Sequence, residues 1–422
     1  MDRTATLAAL RRGDLVGARE VRLPDGLNEF PAELFGLADT LEVLDLGRGR
    51  YTLPEDLGRF RALRALFCSG TPFARLPPAL GGCEALSQMG FRGCGIAEVP
   101  AEALPPQLRW LTLTDNCIAS LPEELGRRPR LQKLMLSGNA LDRLPESLAG
   151  HQNLELVRFA SNRFERLPPW LAQMPALAWM SYSGNPAEPA SPPAQVPLVP
   201  WADLTVGPLL GEGSSGWVHR ATWRGEVALK LFKGAMGSDG LPEREIAACL
   251  AAGDHPAVIG ALGGVTGHPE GTPGLLLRLV PAEWPVLAGP PSLASCSRDV
   301  YDPALRLGSD AARRLAGGIA SALAHLHGRR LMHGDLYGHN ILWDGRDGAA
   351  VLGDFGAAST LPEGEAGRAL ARIETRAFGI LLDELLALCA EAPDSLRELA
   401  RACMQADPAT RPAMADVAAT LR

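Results

Sequence analysis

Over the first 185 residues the apolar positions follow a short recurring pattern, L-x-x-L-x-L, with no helical stripe. Copies start at Leu41, Leu63, Leu86, Leu108, Leu131, Leu154 and Leu177, at intervals of 22 or 23 residues. A degenerate copy begins near Ala18, with Val21 and Leu23. The alternation inside L-x-L predicts a three-residue strand that turns its leucines inward. A second signature, L-P-x-x-L, follows most copies at Leu53-Pro54, Leu76-Pro77, Leu121-Pro122, Leu144-Pro145 and Leu167-Pro168, with Phe30-Pro31 and Val99-Pro100 as variants. A unit this short cannot bury its apolar face alone, so the copies are expected to stack into a solenoid.

After each strand comes a recurrent Asn, at Asn116, Asn139, Asn162 and Asn185, with Cys94 and Thr71 in the earlier copies. Its amide can bond the open backbone of adjacent coils. These features resemble the leucine-rich-repeat family across 18–185. The resemblance implies an α/β solenoid over 1–185 whose concave strand face recruits a protein substrate or regulator. Phe67, Trp110, Met135, Leu156, Arg158 and Trp179 would stand on that face. No catalytic constellation occurs in this half, so it is read as a binding module.

The pattern stops at Pro186, and six prolines fall within 186–200. Residues 186–203 are read as a proline-rich spacer. From 204 to 422 the pattern changes to strand, glycine turn, strand, strand over 205–232, followed by a helix over 242–252 and a buried strand over 275–281. A further helix opens at Ser309 with Leu315, Ile319, Leu323 and Leu326 on one face.

Four motifs lie on this second scaffold in order. Gly211-Glu212-Gly213-Ser214-Ser215-Gly216-Trp217-Val218 is G-x-G-x-x-G-x-V, and Val227-Ala228-Leu229-Lys230 closes the strand that follows. His333-Gly334-Asp335 with Asn340 gives H-x-D-x-x-x-x-N, and Asp354-Phe355-Gly356 comes next. The tail adds Asp407-Pro408-Ala409-Thr410-Arg411-Pro412, and 378–386 reads as a central helix. A glycine turn alone is weak evidence; all four in order, at these intervals, are specific. The segment resembles the eukaryotic-type serine/threonine protein kinases, and the whole chain resembles a bacterial leucine-rich-repeat protein kinase. The resemblance implies a two-lobed α+β domain over 204–422 that uses ATP and Mg²⁺ to phosphorylate Ser or Thr hydroxyls. It assigns Leu210, Gly211, Gly213, Gly216, Val218, Ala228, Lys230, Leu279, Val280 and Leu342 to the nucleotide. Asp335 would be the base, Lys230 would be held by Glu245 (Glu243 being the other candidate), and Asn340 and Asp354 would hold Mg²⁺.

Departures from the family pattern leave two other readings open. Gly334 replaces the usual arginine, Tyr337 stands at the usual lysine, and Glu374 takes the place of a bracing aspartate. The interval 357–377 lacks an A-P-E motif, which leaves Arg411 without its customary glutamate. H-G-D-x-x-x-x-N also typifies small-molecule phosphotransferases, and a repeat scaffold with a nucleotide-binding pseudokinase is a further alternative. Ser359, Thr360 and Thr375 are possible autophosphorylation sites, with plain surface hydroxyls as the simpler reading.

A net charge of −7 offers no basic field for nucleic acid or an anionic membrane. The eight cysteines show no zinc-ligand spacing. With no long apolar run and no signal-like start, a cytoplasmic location is expected. Only three of the 41 basic residues are lysine (Lys133, Lys230 and Lys233), which suggests a bacterial, arginine-biased genome.

Overall fold

The computed structural model describes residues 3–190, 197–213, 215–234, 236–237 and 240–422. Residues 191–196 of the expected spacer and Ser214 of the glycine turn lie outside them. The chain forms two compact units, Met1–Trp170 and Leu171–Arg422.

The first unit opens with helix α1 (Arg3–Arg12), followed by strands β1 (Glu20–Arg22), β2 (Val43–Asp45), β3 (Ala65–Phe67), β4 (Gln88–Gly90), β5 (Trp110–Thr112), β6 (Lys133–Met135) and β7 (Leu156–Arg158). These seven pair in parallel in chain order, with the middle residues in register (Val21↔Leu44↔Leu66↔Met89↔Leu111↔Leu134↔Val157) and all of them buried. Short 3-10 turns link the strands. Pro31, Pro77, Pro100, Pro122 and Pro145 sit just before five of these turns with extended backbone angles. The ring fixes φ at a position that needs no N–H, which is the physical sense of the L-P signature.

The asparagines form a ladder. Asn116 accepts from the Cys94 and Ile96 amides, each at 3.0 Å, and donates to Phe91 O at 2.8 Å and Leu113 O at 2.9 Å. Asn139 and Asn162 repeat the arrangement one and two coils on. In the earlier copies the Cys94 thiol donates to Cys68 O, and the Thr71 hydroxyl accepts from the Gly49 amide. A parallel sheet of short strands and 3-10 turns is the organisation expected of a repeat solenoid. On the strand face Phe67 and Trp110 are partly exposed, whereas Met135, Leu156 and Arg158 are buried.

The second unit begins with the last coil, which carries β8 (Trp179–Ser181). A six-stranded sheet follows. It contains β9 (Leu198–Pro200), β10 (Thr205–Glu212), β11 (Gly216–Thr222), β12 (Glu226–Phe232), β13 (Ala261–Thr266) and β14 (Gly274–Arg278), in the order β10-β11-β12-β14-β13-β9. Part of the stretch read as a spacer is therefore a strand. β9 lies parallel to β13 at the sheet edge, where Pro200 loses nothing by lacking an N–H, and Val199 enters the core with Ala221, Val227, Leu229 and Leu276. Helix α2 (Pro242–Ala252) connects β12 to β13.

The helical half contains α3 (Ser309–Gly328), the pairs β15 (Leu331–Met332) with β18 (Ser359–Thr360) and β16 (Ile341–Trp343) with β17 (Ala350–Leu352), then α4 (Gly364–Ala387), α5 (Asp394–Cys403) and α6 (Met414–Thr420). The apolar face of α3, from Leu315 through Leu326, is fully buried. Helix α4 runs for 24 residues and takes up more than half of the interval 357–377, the one that lacks an A-P-E motif. Ser359, Thr360 and Thr375 are all buried, so none of them is a surface hydroxyl.

Candidate active site

Two hairpins and one loop build the site. β10 and β11 turn at the glycine motif, where the Gly213 amide bonds Gly216 O at 2.9 Å. A Cβ on Gly216 would come within 2.3 Å of Leu231 O, so only glycine fits there. Cβ atoms at Gly211 and Gly213 would meet nothing within 4 Å, so neither position is crowded. On β12, Lys230 is buried and its ammonium donates to Glu245 of α2. It is Glu245 and not Glu243 that reaches the lysine. Burial would lower the Lys230 pKa, but the Asp354 and Glu245 carboxylates outweigh it and hold the amine protonated.

Between β15 and β16 the loop 333–340 is fixed from several sides. The Asp335 amide donates to His333 Nδ1 at 3.3 Å, and His333 Nε2 faces Gly353 O at 2.8 Å, so the ring carries its proton on Nε2. Asn340 Nδ2 donates to Asp335 O at 2.9 Å and to Asp335 Oδ2 at 2.8 Å. Asp354 takes a positive φ of 54°, and its carboxylate accepts from the Gly356 amide at 3.2 Å. Beneath the loop, Glu374 of α4 is buried, accepting from the Gly334 amide at 2.6 Å, the His333 amide at 3.3 Å and His327 Nε2 at 2.8 Å. Burial would raise its pKa, but these donors bring it below the ordinary value.

A cleft of about 550 Å³ opens between the sheet and this loop. Leu210, Gly211, Gly213, Gly216, Val218, Ala228, Lys230, Leu279, Val280, Asn340, Leu342 and Asp354 all line it. Glu245 and Asp335 stand one bond behind, through Lys230 and Asn340. Ile259, Trp284 and His339 also line the cleft. Sequence reasoning passed over these three because Ile259 and Trp284 belong to no motif and His339 fills an unspecified position of H-x-D-x-x-x-x-N. His339 donates from Nδ1 to Asp299 Oδ1 at 2.7 Å, while its own amide bonds Asp299 Oδ2 at 3.0 Å. Burial opposes the charge on His339, yet Asp299 and the nearby Asp335 and Asp354 raise its pKa overall.

Residues 204–379 match the protein kinase domain family. Over this segment the chain is similar to protein kinases. Its relatives include kinase suppressor of Ras 2 of Homo sapiens, 26% identical over 204 residues, covering 48% of this chain and 19% of the relative. Serine/threonine-protein kinase CTR1 of Arabidopsis thaliana is 32% identical over 168 residues (37% of this chain, 18% of the relative). Serine/threonine-protein kinase mos of Xenopus laevis is 29% identical over 172 residues (40% and 45%). The chain thus spans less than half the length of each of these relatives.

The structure gives physical reasons for two departures of the kinase domain from its family. Gly334 has a φ of +75°, and a Cβ there would lie 2.5 Å from Met180 O and 2.7 Å from Ala357 O, so an arginine cannot occupy the position. Arg411, lacking a glutamate, donates to Gln405 O at 2.8 Å, Arg372 O at 3.1 Å and Pro175 O at 2.7 Å. Its burial lowers the guanidinium pKa to about 10.

Proposed function

We propose that the chain is a serine/threonine protein kinase whose leucine-rich repeats recruit a protein substrate or regulator. The reading rests above all on the closed Lys230–Glu245 pair, which faces the same cleft as Asn340 and Asp354. In this reading Gly211, Gly213 and Gly216 cover the phosphates, Lys230 neutralises them, and Val218, Ala228 and Leu342 enclose the adenine. Asp335 orients the acceptor hydroxyl and takes its proton, while Asn340 fixes the carboxylate. Mg²⁺, when bound by Asn340 and Asp354, supplies positive charge to the transferring phosphoryl group. Among the described residues no cluster of three or more His, Cys, Asp or Glu side chains could hold a metal. Mg²⁺ requires none, since it takes one or two protein oxygens together with phosphates and water. Phe67 and Trp110, the partly exposed members of the strand row, are the proposed recruiting residues.

Incubation with labelled ATP and Mg²⁺ tests the reading. Wild type is expected to label protein hydroxyls, with Asp354→Ala and Asp335→Ala reduced at least about 10²-fold. Label only on added small molecules would favour small-molecule phosphotransfer. Nucleotide binding without any transfer would favour a pseudokinase.

A further inference from the structure

We propose that Trp179, on the last coil, is a positioning residue for phosphoryl transfer. Its indole clamps the Leu336–Tyr337 peptide that follows Asp335. The inference rests on the kinase reading above.

The indole Nε1 donates to Leu336 O at 2.8 Å. The same ring stacks on Tyr337, with centroids 4.4 Å apart and planes within 6°. Tyr337 stacks in turn on His339 at 5.0 Å, and His339 is the neighbour of Asn340. A column of three rings therefore runs beside the loop from the residue after Leu336 to the one before Asn340. Trp179 is 1% exposed, so no water competes for the Leu336 carbonyl. Asn340 holds the Asp335 carbonyl and carboxylate on one side, and Trp179 holds the next carbonyl on the other. Together they fix the peptide plane from which the Asp335 side chain is aimed.

The clamp is itself anchored by independent bonds. Tyr182 donates its hydroxyl to Thr360 O at 2.7 Å and its amide to Ser359 Oγ at 3.0 Å. Glu188 accepts from the Thr360 amide at 2.9 Å, and its other oxygen lies 3.6 Å from Arg244 of α2, the neighbour of Glu245. Arg376 Nε donates to Ala176 O at 3.1 Å and Arg411 to Pro175 O at 2.7 Å. Anchors on both flanks of Trp179 leave the ring little freedom. The catalytic loop therefore borrows its rigidity from a segment that precedes the matched domain, 204–379.

Trp179→Phe keeps a stacked ring but removes the N–H donor and the indole's second ring. In the full chain it is expected to leave ATP affinity near wild type, to lower the melting temperature by a few degrees for the lost ring volume, and, well below that transition, to lower kcat about tenfold, since small displacements of a catalytic group are costly. Tyr337→Leu, which removes the ring beneath the indole, should likewise lower kcat with little change in KM for ATP. It also serves as the probe should Trp179→Phe fold poorly. A kcat within about twofold of wild type for both variants overturns the positioning role and leaves the kinase reading intact. A kcat that returns to wild type at temperatures well below the lowered melting transition assigns the ring to packing and also overturns it. Wild type that transfers no phosphate overturns both readings together.

Discussion

The glycine turn and the loop 333–340 face the same cleft and are built by opposite means. The turn joins two strands whose first member, β10, is exposed along its whole length. Its tip is tied down by Lys233, which donates to Glu212 and to Gly213 O at 3.1 Å and lies over the Trp217 ring. The loop 333–340 is held by His333 from within, Glu374 from below, Asp299 through His339, and the Trp179 ring. Few buried contacts mean a low local opening cost, and many mean a high one. A covering that must lift for a ligand sits at the first extreme, and groups that must hold position during transfer sit at the second.

Glu374→Ala should break this contrast most severely. It removes one carboxylate from two buried amides, those of His333 and Gly334, and from the half-buried His327 ring. A loss of about 3 kcal/mol or more is expected, seen as a lower denaturant midpoint together with loss of transfer.

A smaller effect concerns the layer behind the loop. Burial first, and then Asp299, push the Glu384 carboxyl up to about 7, with Tyr301 donating to it at 3.1 Å. The folded chain holds this proton more tightly than the unfolded chain. Its stabilisation is therefore complete at acid pH and is lost as pH rises through about 7. Glu384→Gln should raise the melting temperature at pH 8 by roughly 3 °C and leave it unchanged at pH 5. Equal shifts at both values would refute the assignment.

The smallest effect is expected at the turn itself. Lys233→Ala releases an exposed latch, and surface pairs contribute little. KM for ATP should change by less than about threefold, with kcat held.

The two regions also differ in how far the sequence discloses them. Gly211, Gly213, Gly216 and Lys230 announce the turn and its strand because their spacing and partners are local. The loop is spelled out equally well from His333 to Asn340, but its supports are not. Trp179 reads as one more strand position of a repeat, Asp299 belongs to no motif, and the 24-residue α4 begins within 357–377, where the sequence marks only the absence of A-P-E. Glu374 was legible only through the family pattern. The repeat strands were readable because each copy restates the same alternation, whereas β9 hid among prolines that ordinarily exclude strands. Tertiary support from residues distant in the chain leaves no period and no spacing to read.

The three lysines carry a practical consequence. Lys133 lies over the Trp110 ring, Lys230 is paired with Glu245, and Lys233 with Glu212. Side-chain amines thus number three in a chain of 422 residues, and two of them stand on or just beyond one strand of the cleft. An acylating reagent shaped like a nucleotide would find Lys230 against an almost silent background. Occupancy of the cleft in the isolated protein is then read from the mass of one peptide.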